Sequence, residues 1–253
     1  KWSDMNIIVE YGMLSDEKFY DRSQEFALYK TVDDNFHTIT EFTELIKEKQ
    51  KDKDGKIIYL YTNNSEAQHM YVSKAKEKDY QVLILDSPIV SHVIQKLESK
   101  LENCSFVRVD GDIIDNLINK DSKIESVLSE KDQNKLKPLF EKVLPSEGFV
   151  VSFEALNPKS SPISITQSEF MRRMKEMSVT GGGSMMGMGN MPDSYNVIIN
   201  ANHSLIGRIN KLKGKRKSDL IQQSTDLALL AQNLLKGESL TKYIESCFND
   251  LKN

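Results

Sequence analysis

The chain has 253 residues, 39% hydrophobic and 28% charged, with a formal net charge of −3. Enough apolar residues are present to fill one large core or two ordinary ones, which excludes a wholly disordered chain. The near-neutral charge excludes a general nucleic-acid binder with a basic face. Two cysteines, Cys104 and Cys247, make neither a disulfide framework nor a zinc site, and they fit a reducing compartment. No apolar run reaches the ~18 residues of a membrane span, and no signal peptide opens the chain. The opening Lys1-Trp2 reads as mid-domain sequence, so a piece of a longer, cytoplasmic protein is expected.

The stretch from Asp16 to Tyr29 predicts a helix, with Phe19, Tyr20, Phe26 and Leu28 among charges. A second helix starts near Thr38, where Thr38 and Glu41 have capping-box spacing and Phe42, Leu45 and Ile46 form one apolar face. The charged run from Lys47 to Lys56 is a surface loop. Three short β-rich runs follow, 57–61, 81–85 and 105–109. Between them lie a helix capped at Ser65 with Ala67, Met70, Tyr71 and Ala75 inward, and a helix that opens at Ser87-Pro88 and carries Ile89, Val90, Val93, Ile94, Leu97 and Leu101. Strand runs apolar on both faces and alternating with helices predict a parallel sheet with right-handed crossovers.

The polar stretch from Asp110 to about Lys131 reads as a linker. A helix with Leu136, Leu139, Phe140, Val143 and Leu144 ends at Pro145; strands are expected at 149–153, at Ile163 to Ile165 and at Tyr195 to Asn200. Thr166 and Glu169 have capping-box spacing before a helix with Phe170, Met171, Met174 and Met177. The segment from Phe170 to Met191 holds seven of the 10 methionines, and its second half adds five glycines. Asn202 is the expected cap of a helix through Leu205, Ile206 and Ile209; the basic residues Lys211, Lys213, Lys215, Arg216 and Lys217 read as a solvated loop. Two helices close the chain. One is capped at Ser218, carries Leu220, Ile221, Leu227, Leu230, Leu234 and Leu235, and stops at Gly237. The other carries Leu240, Tyr243, Ile244, Cys247, Phe248 and Leu251 at amphipathic spacing.

Catalytic signatures are missing. The turns after Tyr61 and Leu85 hold no glycine for a phosphate to approach, and Asp86 reads as turn chemistry. His37, His69, His92 and His203 lack metal-ligand spacing. A methionine stripe on a helix usually fills core gaps, which accounts for Met171 or Met174. Met185, Met186 and Met188 in a glycine-rich loop instead suit loose binding of many apolar surfaces. The terminal helix pair carries more apolar face than so small a domain covers, which predicts a four-helix bundle with a second copy. The competing reading packs that face onto the protein's own 149–153 and 195–200 strands. Two further alternatives stay open: an α/β nucleotide-binding enzyme domain, and a passive dimerisation module whose methionines are core.

The segments YGMLSDEKFYDR, IIYLYT, YQVLILDSPIVSHVIQKL, NHSLIGRI and TDLALLAQNLL followed by ESLTKYIESCFNDL span nearly the whole chain. In that order they resemble the ninety-kilodalton heat-shock chaperone family in its bacterial form. The resemblance implies the distal middle domain plus the dimerisation domain. Residues 1–36 would be the helical end of a larger middle segment. Residues 37–125 would be a small three-layer α/β unit with a short parallel sheet. Residues 126–253 would be a mixed α+β domain ending in a helical hairpin that forms a four-helix bundle in the dimer. It implies no catalytic residue, metal or cofactor here, with ATP and Mg belonging to the full-length family. Its partners would be a second copy and unfolded or partly folded clients, with no nucleic acid and no membrane. The family's client-contacting helix matches Thr166 to Met177, with Phe170, Met174 and Met177 as its apolar positions. The dimer helices match 218–235 and 240–251, giving Leu220, Leu227, Leu230, Leu234, Leu240, Tyr243, Ile244, Phe248 and Leu251 as interface residues. The methionine-glycine loop varies in the family. The chain ends Asp250-Leu251-Lys252-Asn253, without the acidic co-chaperone peptide of eukaryotic members.

Overall fold

The computed structural model describes residues 2, 4–118, 124–145, 147–180 and 193–251. In chain order the elements are α1 (Asn6–Ser15), α2 (Glu17–Ser23), β1 (Tyr29–Thr31), β2 (Phe36–His37), α3 (Ile39–Ile46), β3 (Ile57–Thr62), α4 (His69–Glu77), β4 (Val82–Ile84), α5 (Val90–Lys100), β5 (Cys104–Arg108), α6 (Ile114–Leu117), α7 (Glu130–Glu141), β6 (Phe149–Glu154), β7 (Ile163–Gln167), α8 (Glu169–Thr180), β8 (Tyr195–Asn200), α9 (Ser204–Lys211), α10 (Gly214–Ala231) and α11 (Gly237–Asp250). They form two compact units, Lys1–Asp121 with Glu169–Met191, and Ser122–Ser168 with Pro192–Asn253.

The first unit holds a five-stranded sheet in the order β2-β1-β4-β3-β5. β3 pairs in parallel with both β4 and β5, so the three apolar runs form the expected parallel set. Alternation along β3 sends its side chains to two different cores. Tyr59 and Tyr61 join Phe42, Leu83, Ile94, Leu97 and Phe106 on one face. Ile58 and Leu60 join Tyr71, Val72, Ala75 and Val82 on the other. Tyr59 stacks on Phe106 at 4.4 Å between centroids. The Thr38–Glu41 capping box opens α3 as expected. α4 begins at His69 rather than near Ser65, because Asn64 turns the chain first by accepting from the Ala67 N–H; Ala67 is exposed.

The helix expected from Asp16 to Tyr29 is only α2, capped by Asp16, which accepts from Phe19 N–H at 2.7 Å. Tyr29 instead begins β1, which pairs antiparallel with β2 and β4. The turn between β1 and β2 is built by Thr31, whose hydroxyl accepts from Asp33 and Asn35 N–H, and by Asp34 at φ 60. These short polar side chains favour such a turn over a continued helix.

The second unit has a three-stranded sheet in the order β6-β8-β7. β6 runs parallel to β8 and β7 antiparallel to it. Its core gathers Leu136 and Phe140 of α7, Val151, Ile163, Ile165, Val197 and Ile199 of the strands, and Ile206, Ile209, Ile221 and Leu229 of the later helices. His203, not Asn202, caps α9: its Nδ1 accepts from Leu205 N–H at 3.0 Å. α10 starts at Gly214, so Lys215, Arg216 and Lys217 lie in its first turn rather than in a loop. It ends at Ala231, well before Gly237. Asn233 takes φ 55, its N–H reaches Leu230 C=O, and the Leu234 N–H reaches Leu229 C=O, a Schellman stop. Leu234 and Leu235 therefore follow the helix.

Candidate functional site

α8 carries Glu169, Arg172, Arg173 and Glu176, spaced one helical turn apart, on one face. That ionic face meets the α/β sheet of its own unit. Arg172 bonds Glu169 at 2.6 Å and Glu176 at 2.5 Å, and also meets the Tyr61 hydroxyl. Tyr61 donates to Glu169 at 2.8 Å. Arg173 bonds Glu169 at 2.6 Å and reaches Glu98 of α5 at 2.8 Å, while Ser91 of α5 donates to Glu176. Burial alone would raise the Glu169 carboxyl, but Arg172 and Arg173 beside it hold it below its ordinary value. Burial, with Glu169 alongside, pushes the Tyr61 hydroxyl up.

The capping box expected between Thr166 and Glu169 does not form. Thr166 lies within β7, and the Glu169 carboxylate is taken up by Tyr61 and the arginines.

The C-terminal ends of β3 and β5 lie at the point where open α/β sheets commonly take ligands. Here they are cross-linked by the protein's own side chains. The Thr62 hydroxyl donates to Gln68, the Gln68 amide donates to Asp110, and Arg108 grips Asp110 at 2.5 and 2.9 Å.

With its ionic face inward, α8 turns its apolar residues elsewhere. Phe170 is 69% exposed and Met171 is also exposed, while Met174 and Met177 are half-buried. Met185, Met186 and Met188 lie outside the described residues. The terminal stripe divides in two. Leu220, Leu234, Leu240 and Tyr243 pack against their own core. Leu227, Leu230, Ile244, Phe248 (61%) and Leu251 (83%) face solvent.

Sequence reading singled out the apolar positions of α8, gave Glu169 a capping role and Tyr61 a strand position, and passed over Glu98, Arg172 and Arg173, which help to hold the helix. The α8 members were signalled by an E-x-x-R-R-x-x-E stripe at helical period, Glu169 to Glu176; Glu98 carried no such signal. Among the described residues no helix is long and apolar enough to cross a membrane, and no cluster of three or more His, Cys, Asp or Glu could hold a metal ion.

The family model described as Hsp90 protein matches residues 2–243. The chain belongs to the Hsp90 family. Among relatives of this Hsp90-family chain is the chaperone protein htpG of Bacteroides fragilis (strain YCH46). It is 34% identical over 313 aligned residues, which cover 97% of this chain and 46% of the relative. The chaperone protein HtpG of Porphyromonas gingivalis (strain W83) is 42% identical over 221 residues, covering 86% of this chain and 32% of its own length. The chain thus spans less than half the length of these relatives.

Proposed function

We propose that this chain is the self-associating, client-holding part of an ATP-dependent cytoplasmic chaperone. Its partners are a second copy of itself and unfolded or partly folded proteins. The observation that carries the reading is the inversion of α8. A surface helix ordinarily turns its apolar stripe to the core, yet α8 is held by Glu169, Arg172 and Arg173 and leaves Phe170 and Met171 outward.

Full burial of such a side chain is worth roughly 1.5–3 kcal/mol, so a few contacts capture a client weakly and reversibly. Methionine thioethers adapt to irregular partners, and the sequence places Met185, Met186 and Met188 a few residues on from Met177. The exposed residues of α10 and α11 are the proposed seat of the second copy, as a four-helix bundle. ATP and magnesium are assigned to the full-length protein, and this part is proposed to do no catalysis.

The test is suppression of aggregation of a thermally unfolding reporter protein. Phe170→Ser, Met174→Ser and Met177→Ser together should weaken suppression while self-association persists. Undiminished suppression would overturn the client-holding role.

A further inference from the structure

We propose that the outer edge of β5 is a strand-accepting site for an extended segment of a non-native polypeptide, and that α8 covers it until such a segment takes its place. The proposal rests on the client-holding reading above. It adds a second surface with different chemistry, backbone hydrogen bonds rather than apolar side chains.

β5 is the terminal strand of its sheet. Along it, the Val109 N–H points inward to Tyr61 C=O, so Phe106 and Arg108, of opposite parity, turn their backbone groups outward. An uncovered row of this kind pairs readily with another chain. Each outward group is instead met locally. Glu98 accepts from Phe106 N–H at 2.7 Å, Arg173 donates to Phe106 C=O, and Glu169 accepts from Arg108 N–H at 3.2 Å. Gly111 N–H closes the Arg108 carbonyl at 2.7 Å.

Acceptor, donor, acceptor is the sequence of groups that the backbone of a paired strand would present to the same three positions. Glu98, Arg173 and Glu169 are bonded to one another, so they act as one side-chain copy of a strand. Two of the three are supplied by α8. The groups that hold the helix are therefore the groups an extended chain would satisfy in its place, as in strand addition to an exposed sheet edge. Docked α8 offers Phe170 and Met171; displaced α8 offers β5.

The experiment measures amide hydrogen exchange at Arg108 in the full chain, with Val109 as the inward-bonded control, with and without reduced, carboxymethylated α-lactalbumin as a permanently unfolded probe. Arg173→Ala and, separately, the size-conserving Glu169→Gln should speed exchange at Arg108 but not at Val109. Saturating probe should then slow it again. The variants should bind the probe about tenfold more tightly, the gain expected if the uncovered edge is populated about one time in ten in the parent chain.

Unchanged Arg108 exchange in both variants, or Arg108 left fast while the probe is bound, overturns the proposal and leaves the client-holding reading standing. No probe binding by parent or variants overturns both. Retained binding with renewed Arg108 protection after Phe170, Met174 and Met177 are also changed to Ser supports the edge independently of the apolar face.

Discussion

Arg172 and Glu169, one turn apart on α8, are joined at 2.6 Å with 4% and 18% of their side chains exposed. A buried pair of this kind gives little net stability relative to a well-packed apolar pair. Loss of Arg172 leaves Glu169 on Arg173, and the cost is limited to about 1.4 kcal/mol, that of freeing a helix displaced about one time in ten. Arg172→Ala should therefore lower the urea midpoint of the first unit by a modest but measurable amount. Tyr61→Phe, which keeps the ring in the core but removes the hydroxyl that donates to Glu169, should cost less, about 0.5–1 kcal/mol. Equal midpoints for parent and Arg172→Ala would mean that the network does not hold α8.

The same network sets a direction with pH. The Glu169 carboxyl is held below its ordinary 4.5, so its ionised form is favoured in the folded chain. The stability it contributes is complete above that ordinary value and is lost as pH falls through the lower folded value. Glu10 and Asp226 act with the opposite sign, because burial raises both. They therefore oppose folding when ionised and regain stability as pH falls. An acid titration followed by circular dichroism should show a shallower loss below pH 4.5 in Glu169→Gln than in the parent. Parallel curves would remove Glu169 from the account.

Much of this architecture was legible in the residues. The runs 57–61, 81–85 and 105–109 could be read as parallel strands because each is apolar on both faces, and Thr38 with Glu41 marked the start of α3 without ambiguity. The β1–β2 hairpin was not legible, because Tyr29-Lys30-Thr31 is too short to show a period and takes its conformation from pairing with β4. Capping-box spacing at Thr166 misled because Glu169 had a stronger use, against two arginines and Tyr61. The end of α10 was misplaced because asparagine at 233 did what glycine at 237 was expected to do. The apolar stripes of α8 and α11 were readable. Which residues in them would be left in solvent was not, since that depends on charged neighbours in α5 and on how α10 packs on α7 and β7.

Gly148 stands just before β6 at φ 82, where its carbonyl accepts from Tyr195 N–H at 2.6 Å. A Cβ added there would lie 2.3 Å from the Asp193 backbone carbonyl oxygen. Neither the left-handed conformation nor the contact tolerates a side chain, and the obstacle is the backbone that leads into β8. Gly148→Ala should destabilise the second unit by about 2 kcal/mol or more. Thermal melts should show it, whereas Gly55→Ala, also at positive φ but with nothing within 4 Å, should show only the smaller conformational cost.

Leu227 on α10 and Phe248 on α11 are 56% and 61% exposed in the single chain, while Ile221 and Leu229 of the same α10 are buried in the core. The outer residues can thus be changed without opening the domain that carries them. In a two-fold bundle each substitution acts twice, once on each copy, and each lost burial is worth roughly 1.5–3 kcal/mol. Leu227→Ser with Phe248→Ser should shift molar mass by light scattering from twice the chain mass toward one, with the melting temperature extrapolated to low concentration unchanged. Ile221→Ser should unfold the unit at any concentration. If the double variant keeps the parent mass, a second copy does not sit on this face; if the parent is itself a monomer across the dilution series, the exposed stripe must be accounted for by another partner.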